Sequence, residues 1–488
     1  MVMNSCISGR EAAVRRVKGT GQRGFTLIEL MIALLISLLI LLGLVSLFVN
    51  MSRNTSELKK ANEMIENGRF SLQALASELE HTAFWGGYIP QFDNLVYDFI
   101  PSDAPTAVPN PCAAFATWDA AYITNLIGVP IQSTDTLPAG AGCLTPLAQR
   151  GGTDVVAVRH LEQCVPGAAD CDADVAGRLY MQSTRCQLEL LAGQTVSATA
   201  GTIELDINAA TGHPATATNK YTGTMIRIID GAAAGSVRWI TAYDDATRVA
   251  TVTPNWAITP AAGTTYAFDY VFGTASFPLH TRTCVGTGTP AVQPIVSGPL
   301  SPKRRFLSSI YYVTDVAHPD RPADVVPTLV RTSLNLAGGA IAHQAPVQLV
   351  SGVDRFRIEL GIDDTSDSGA AVDYTVARTW ASTTVYDSPT NRGDGSPDRY
   401  VRCTTAAPCT ALDYANAVVA KIYVLIRSRD RTPGYTDNKT YCVGQLNLDG
   451  TCPAAALFDP PAADEDYQRH LFTTTVRLTN VSGRRETP

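Results

Sequence analysis

The chain has 488 residues, which is more than one ordinary hydrophobic core accommodates, so we expect more than one structural unit. Charged residues make up only 17% of it, and its 29 prolines all lie at or after Pro90. Because proline interrupts helices, this distribution separates a helical N-terminal part from a turn-rich remainder. The formal net charge of −7 argues against nucleic-acid binding over the whole surface.

The first 24 residues form a polar leader with five basic residues and one acidic residue. Positive charge before an apolar segment keeps that side in the cytoplasm, so we expect the C-terminal part outside the inner membrane. Hydropathy alone fits an uncleaved signal anchor. A secretory signal would normally be cut after its apolar segment. Here the plausible cut lies before that segment, between Gly24 and Phe25.

Residues 25–49 form an apolar run in which Glu29 is the only strongly polar side chain. As a helix the run would be roughly 38 Å long, enough to cross a hydrocarbon core of about 30 Å. A lone carboxylate in a bilayer is costly, which makes Glu29 a functional candidate, unless it simply reaches the headgroups. After a cut behind Gly24, the new amine of Phe25 could compensate its charge, most usefully between neighbouring subunits.

Segment 23–30, Arg-Gly-Phe-Thr-Leu-Ile-Glu-Leu, resembles the class III signal of type IV prepilins. The resemblance implies that prepilin peptidase cuts after Gly24 and that Phe25 becomes the N-methylated N-terminus. It also implies that Glu29 pairs with the amine of a neighbouring subunit during assembly.

We predict that one helix covers residues 25–82 and packs on an attached domain from Ile65 onward. Beyond the membrane run its apolar or small residues alternate spacings of three and four, as on one helix face: Leu58, Ala61, Ile65, Gly68, Leu72, Leu75 and Leu79. The aromatic and glycine residues of segment 83–88 would end the helix. Segments 66–70 and 75–88 resemble the end of the helix in the PilW family of minor pilins.

Residues 83–194 are predicted to form the first part of a periplasmic domain. A long irregular stretch rich in Pro, Ala and Asp runs to residue 150. Strands are then expected at 153–160 and 178–191, because turn residues flank both segments.

Residues 195–272 are rich in Ser, Thr, Ala and Gly and contain no cysteine, which predicts a small inserted β module. Its strands are expected at 225–229, 237–243, 248–252 and 266–270. Aromatic rings on such a module either stack on a surface or sugar ligand or form its core. Both alternatives are open for Trp239, Tyr243 and Trp256.

Residues 273–488 are predicted to form the second part of the domain, with strands at 305–313, 328–336, 347–362, 417–429 and 470–480. Segments 352–363 and 471–480 resemble PilW-type C-terminal regions, which implies an antiparallel sheet packed on the long helix. The expected fold class is α+β: a long N-terminal transmembrane and assembly helix, a C-terminal antiparallel β-sheet pilin domain, and an inserted small all-β module.

Cys6 lies in the leader, and the remaining ten cysteines indicate disulfides in an oxidising compartment. Sequence does not determine their connectivity. The simplest pairs are Cys112–Cys143, Cys164–Cys171, Cys186–Cys284, Cys403–Cys409 and Cys442–Cys452. No cysteine pair has zinc-site spacing, so no metal is predicted.

Catalytic signatures such as a Walker loop, a nucleophile elbow or a zinc-protease helix are absent from the sequence, so we predict neither an enzyme nor a cofactor. Asp394 and Asp398 could approach a calcium ion, but loop 392–398 lacks the spacing and closing glutamate of an EF-hand. We interpret this loop as a turn.

The resemblance implies a minor pilin that starts pilus assembly and joins a tip complex, with roles in twitching motility and adhesion. Its partners would be prepilin peptidase, other minor pilins, the major pilin, the inner-membrane assembly platform and the membrane, without direct nucleic-acid binding. The protein would cross the inner membrane once, with its domain in the periplasm, and later reach the pilus. A minor pseudopilin of type II secretion and a tip adhesin that binds ligands through residues 195–272 are the alternatives.

Overall fold

The computed structural model describes residues 24–486 except 96–97, 138–141, 184–192, 207–219, 280–299, 317–319, 321–324 and 383–388. The leader before Gly24 and the cysteines Cys6, Cys186 and Cys284 therefore lie outside the described residues. The chain divides into two compact units, Met1–Lys59 and Lys60–Pro488.

The helices are α1 (Leu27–Glu80), α2 (Ala120–Gly128), α3 (Ala411–Ala415) and α4 (Thr479–Arg485). The strands are β1 (Ile131–Thr134), β2 (Val155–Leu161), β3 (Tyr180–Ser183), β4 (Gly193–Thr199), β5 (Thr202–Leu205), β6 (Thr224–Ile228), β7 (Val237–Asp244), β8 (Val249–Thr253), β9 (Thr265–Gly273), β10 (Lys303–Thr314), β11 (Thr328–Ala337), β12 (Ala340–His343), β13 (Val347–Ser351), β14 (Val353–Ile362), β15 (Arg399–Val401), β16 (Ala417–Arg427), β17 (Tyr441–Cys442), β18 (Leu457–Phe458) and β19 (Arg469–Arg477).

The first unit contains the apolar part of α1. All residues from Gly24 to Ser56 are exposed, so no described side chain covers the apolar surface of this segment. Among the described residues, α1 is the single helix whose length and composition would allow it to cross a membrane. A helix that is apolar on every side is stable only in an apolar environment, such as lipid.

In the second unit, the remainder of α1 buries one face. Its buried residues follow the three- and four-residue spacing of a single helix stripe: Met64, Gly68, Ser71, Leu75 and Leu79. Ile65, predicted on the same stripe, stays 41% exposed.

A four-stranded antiparallel sheet with the order β15-β14-β16-β19 carries this part of α1. Side chains of successive strand residues point to opposite faces. On one face, Phe356, Ile422 and Val476 share a core with Leu75 and Leu79 of α1. The opposite face is covered by the segment that contains β17 and β18, through the cluster of Tyr423, Leu425, Val443 and Phe458. The predicted fold class, a long apolar helix followed by a mostly antiparallel β domain, is confirmed.

The approach of α1 to β19 depends on Gly68. A Cβ atom on this residue would lie 2.3 Å from Cε2 of Phe472, well inside van der Waals contact. Glycine therefore permits this close packing between helix and sheet, although it lowers the intrinsic stability of a helix interior.

A larger sheet branches at β10. Residues Ser309, Ile310 and Tyr311 pair with β2 on one side and β11 on the other, while the start of β10 pairs with β3. Through β3 and β9 the sheet continues into strands β4 to β8.

Strands β4 to β9 close into a ring, because β9 pairs with both β4 and β6 and the order between them is β4-β5-β8-β7-β6. This barrel has its own core. The end of β9 leaves the ring and pairs with β3 from Tyr270 to Gly273. The barrel is thus continuous with the larger sheet, and a separate module bounded at 195 and 272 stays a prediction.

Three details differ from the predicted elements. The strand expected at 347–362 is broken at Gly352, where φ is +84° and a Cβ atom would lie 2.7 Å from the carbonyl oxygen of Arg427, so β13 and β14 join different sheets. The strand expected to reach residue 480 ends at Arg477, and α4 follows. The stretch predicted as irregular contains β1 and α2, the latter capped by Asp119, whose carboxylate accepts from the N–H of Tyr122.

Four disulfides are present among the described residues. They join the same neighbouring cysteines that the sequence analysis considered: Cys112–Cys143, Cys164–Cys171, Cys403–Cys409 and Cys442–Cys452. The proposed pair Cys186–Cys284 falls outside the described residues.

Asp103 is a buried carboxylate beside the barrel. It accepts hydrogen bonds from the Tyr88 hydroxyl at 3.1 Å and from the N–H groups of Gln91 and Phe92 at 2.7 and 3.1 Å. Burial raises the pKa of Asp103 from 3.8 to about 6; these hydrogen bonds oppose the shift and the charge of Asp269 adds to it.

We expect Gly68→Ala to lower the free energy of unfolding by about 1–3 kcal/mol, because the added methyl group overpacks the contact with Phe472. Thermal unfolding of the detergent-solubilised protein measures this change. Gly43→Ala is the control, since nothing lies within 4 Å of its Cβ position. Equal melting temperatures for the two variants would contradict the packing argument.

The folded-state pKa of Asp103 exceeds its ordinary value, so the folded protein binds this proton more tightly than the unfolded chain does. The charged carboxylate therefore destabilises the fold by a constant amount above pH 6, and this penalty is relieved as the pH falls from about 6 towards 3.8. Relative to Asp103→Asn, the wild type should gain up to about 1.4 kcal/mol of stability per pH unit as the pH is lowered from about 6 to 3.8. Urea unfolding at several pH values measures the difference, with the exposed Asp98→Asn as control. Parallel pH curves for wild type and Asp103→Asn would refute the assignment.

Candidate functional site

The predicted cleavage junction lies directly before α1. Gly24, Phe25 and Thr26 precede the first helical residue, and the Phe25 side chain is 87% exposed. Apart from its chain neighbours, no atom of the described residues lies within 4 Å of the position of a Cβ on Gly24. The fold of the chain therefore does not itself require glycine here, and any such requirement would belong to the enzyme that cuts the junction.

Thr26 and Glu29 form a capping box at the start of α1. The Glu29 carboxylate accepts from the backbone N–H and the hydroxyl of Thr26, both at 3.0 Å, and the N–H of Glu29 donates to the Thr26 hydroxyl at 3.3 Å. This reciprocal arrangement satisfies helix N–H groups that otherwise have no partner. It also turns the carboxylate towards the N-terminal end of the helix, where a free amine on Phe25 would stand.

The far end of α1 is held by the C-terminal residues of the chain. Asn480 of α4 donates to the carbonyl oxygens of Glu80 and Thr82 at 3.2 and 3.1 Å, and the Arg484 guanidinium donates to the carbonyl of Ala83. These bonds pair carbonyl groups that the end of a helix leaves without partners. Segments 75–88 and 471–480, far apart in sequence, are thus neighbours in space.

Arg485 forms a fully buried ionic cluster that the sequence analysis missed. Its guanidinium bonds to Asp93 at 2.7 Å and Asp363 at 3.1 Å, and all three side chains are almost inaccessible. Burial by itself lowers the pKa of Arg485, but Tyr374 and the two carboxylates outweigh burial and raise it. The cluster ties the segment after α1 to the end of β14 and to the C-terminus. A pair of arginines near the end of a chain poor in charge was the available sequence signal.

The three aromatic residues considered for ligand stacking are buried. Trp239, Tyr243 and Trp256 are 5%, 2% and 4% exposed. Trp239 packs edge-on against Tyr270, and Tyr243 against Tyr221, inside or beside the barrel wall. Their burial favours the second of the two alternatives, packing in a core.

Loop 392–398 is organised as a turn. Asp398 accepts from the N–H groups of Asp364 and Thr365 at 2.9 and 2.8 Å, while the N–H of Asp394 donates to Asp363 at 3.1 Å. Within the described part of the chain, one cluster offers three metal-type ligands, namely Glu162, Cys164 and Cys171. The two cysteines form a disulfide and supply no thiolate.

Two family models match the chain. The model of the prokaryotic N-terminal methylation motif matches residues 19–45, and the model described as type IV pilus-assembly protein W matches residues 310–480. The first covers the capping box and most of the apolar part of α1. The second covers β14, β16 and β19, the sheet that carries the other part of the helix.

Comparison with curated protein sequences gave no significant match. Among solved structures, a type IV-like pilin from Thermus thermophilus is similar at 13% identity and a TM-score of 0.18, covering 36% of this chain and 66% of that one. The chain thus spans slightly less than two thirds of that pilin's length.

The match to the methylation motif falls on an apolar helix whose first turn is capped by an acidic side chain. The match to the pilus-assembly model falls on the sheet against which that helix is buried. Together these two matches support a PilW-like type IV minor pilin.

Proposed function

We propose that this protein is a minor pilin that enters the inner membrane through α1, is cut between Gly24 and Phe25 by prepilin peptidase, and is N-methylated on Phe25. The observation that carries the proposal is the capping box of Thr26 and Glu29 on an uncovered apolar helix. A carboxylate held at the entry of such a helix is costly in lipid unless a cation joins it. The amine of a neighbouring subunit is the cation that assembly would supply.

The proposed orientation places the second unit in the periplasm. The basic leader and the disulfides of the body support it, because positive charge is retained in the cytoplasm and disulfides persist in oxidising compartments. Pilin family members are structural proteins, and we propose the same for this chain rather than an enzymatic role.

We further propose a place in a tip complex with other minor pilins, next to the major pilin and assembled by the inner-membrane platform. The barrel of β4–β9, continuous with the pilin sheet, supports this position because it enlarges the body beside the sheet that carries α1. Repeated lateral packing along a shaft leaves little room for such an addition. A subunit at the end of a filament is not subject to this packing on every side. Effects on twitching motility and adhesion would follow from loss of tip assembly.

Gly24→Val should block processing. No described residue crowds this position, so we expect the substitution to leave the fold intact and to act on recognition by the peptidase. Intact mass and N-terminal sequencing of the membrane-extracted protein are expected to show a retained leader and few surface pili. Gly43→Val, also without neighbours within 4 Å, serves as the control. A mature, methylated mass for Gly24→Val would refute the cut site.

Glu29→Gln should be processed normally but incorporated into pili at least about tenfold less, since removing one partner of a desolvated ion pair costs about 3–5 kcal/mol. The amide still accepts from Thr26, so this variant retains most of the cap and loses the charge. Thr26→Ala loses the hydroxyl of the cap and keeps the Glu29 charge, so it should be incorporated better than Glu29→Gln. Immunoblots of sheared pili against total membranes measure both. Unchanged incorporation of Glu29→Gln would remove its assembly role.

A tip location predicts that the protein marks one end of each pilus. Immunogold labelling with antibodies raised against the β4–β9 barrel should decorate single filament ends, with antibodies against the major pilin as the positive control. Labelling spread along the shaft would contradict the tip position without contradicting processing or incorporation.

A further inference from the structure

Two histidines and one glutamate lie together where α1 ends. Glu78 belongs to the last turn of α1, His81 follows the helix directly, and His160 belongs to β2. The ring centroids of His81 and His160 are 5.6 Å apart, and Nε2 of His160 lies 3.4 Å from Oε1 of Glu78. The side chains of His160 and Glu78 are 7% and 19% exposed, and His81 is half-buried. Solvent therefore reaches the edge of this cluster.

The hydrogen bonds of both rings fix which nitrogen can bind a cation. Nδ1 of His160 lies 2.9 Å from the carbonyl oxygen of Leu161, and Nδ1 of His81 lies 2.6 Å from that of Ser77. A carbonyl oxygen only accepts, so each Nδ1 carries a proton and Nε2 of a neutral ring has a free lone pair. Metal-binding histidines are usually held in this way, with the other ring N–H on a backbone carbonyl or a carboxylate.

The contact between His160 and Glu78 requires a positive charge. A neutral His160 with its proton on Nδ1 presents a lone pair to the carboxylate, and two acceptors repel each other unless a proton or a metal ion lies between them. The 3.4 Å distance fits a shared tetrahedral ion. Two ligand atoms at about 2.0–2.1 Å from such an ion are about 3.4 Å apart, whereas neighbouring ligands in a square plane would be about 2.9 Å apart.

Neighbouring groups hold the carboxylate and influence the choice of ion. Tyr311 hydrogen-bonds to Glu78, and Arg331 lies close to it. Because the charge of Arg331 opposes a second cation, binding depends on the imidazole nitrogens, which favour Zn²⁺ over Mg²⁺ and Ca²⁺. The three ligand atoms do not all lie within 4.8 Å of one another in the described structure, so the His81 ring has to turn to complete the set.

We propose that Glu78, His81 and His160 form a binding site for Zn²⁺ at the end of α1, with water in the fourth position. The ion would join the last turn of α1 to β2. These elements are already linked by the backbone bond from the N–H of Ala83 to the carbonyl of Arg159 at 3.1 Å. Zinc would therefore stiffen the junction between the helix and the larger sheet. This inference goes beyond the proposed function and does not depend on processing or on the position in the pilus.

The test uses the full-length protein in detergent micelles, with zinc chloride as the probe and no reducing agent. Under these conditions Cys164 and Cys171 stay paired and supply no thiolate. Isothermal titration calorimetry should show one Zn²⁺ bound per chain, and Co²⁺ in its place should give the visible absorption of a tetrahedral site. Zinc should raise the melting temperature, and EDTA should reverse the rise.

Matched variants separate this site from other metal-binding groups of the chain. His81→Ala, Glu78→Gln and His160→Gln each remove one ligand. Each should weaken zinc binding at least about tenfold, since loss of even the outer partners of metal ligands costs this much. Glu80→Gln and His470→Ala are the controls, because both side chains are exposed and lie outside the cluster. They should bind zinc like the wild type.

Hydrogen exchange locates the effect in the chain. Zinc should slow exchange at the amide of Ala83 in the wild type and in Glu80→Gln, but not in His81→Ala. His81 is half-buried and lies outside the helix, so this variant decides the question if His160→Gln unfolds. The proposal is overturned if the wild type binds no zinc, the result expected if a proton alone lies between His160 and Glu78. It is also overturned if both His81→Ala and Glu78→Gln bind zinc like the wild type.

Discussion

The structure depends on one helix that has to satisfy two environments. Between Leu27 and Val49 every side chain of α1 is exposed and nearly all are apolar, so this segment requires lipid or other subunits. Beyond Lys60 the helix buries a single stripe on a sheet of its own chain. The second environment determines the contacts of the body, because β14, β16 and β19 are apolar on the face that receives α1.

The contact between α1 and the sheet of its own chain depends on a close approach of the two elements. Gly68 admits the ring of Phe472 against the helix backbone, and Gly352 lets the chain turn from one sheet to the next beside the carbonyl of Arg427. At the end of the helix, Asn480 and the buried Arg485 bind carbonyl groups and carboxylates from the segment that follows α1. Packing and polar satisfaction thus converge on the junction of α1, β14 and the C-terminus.

The barrel of β4–β9 coincides with a change in amino-acid composition along the chain. A cysteine-free stretch rich in small residues indicated a module, and its four predicted strands are present. Whether its aromatic rings faced a ligand or a core could not be decided from period-two alternation, since both readings fit the same pattern. Closure of the ring buries Tyr243 and Trp256 in the barrel core, whereas Trp239 is buried in a neighbouring cluster against Tyr270. Closure also pairs each of the described barrel strands on both sides.

Features that depend on neighbouring residues could be predicted from the sequence. The apolar run, the single Glu29, the Gly24-Phe25 junction and the helix stripe all depend on residues within a few turns of each other, and so do strands such as β11 and β16. Tertiary structure decided what depends on distant partners. At the break, Gly352 lies against the carbonyl of Arg427, 75 residues away in the chain, and the ionic cluster of Arg485 joins Asp93 to Asp363. The position of β19 at the end of the four-stranded order is likewise a property of strand order, because a strand does not carry in its own sequence which of its sides another strand will cover.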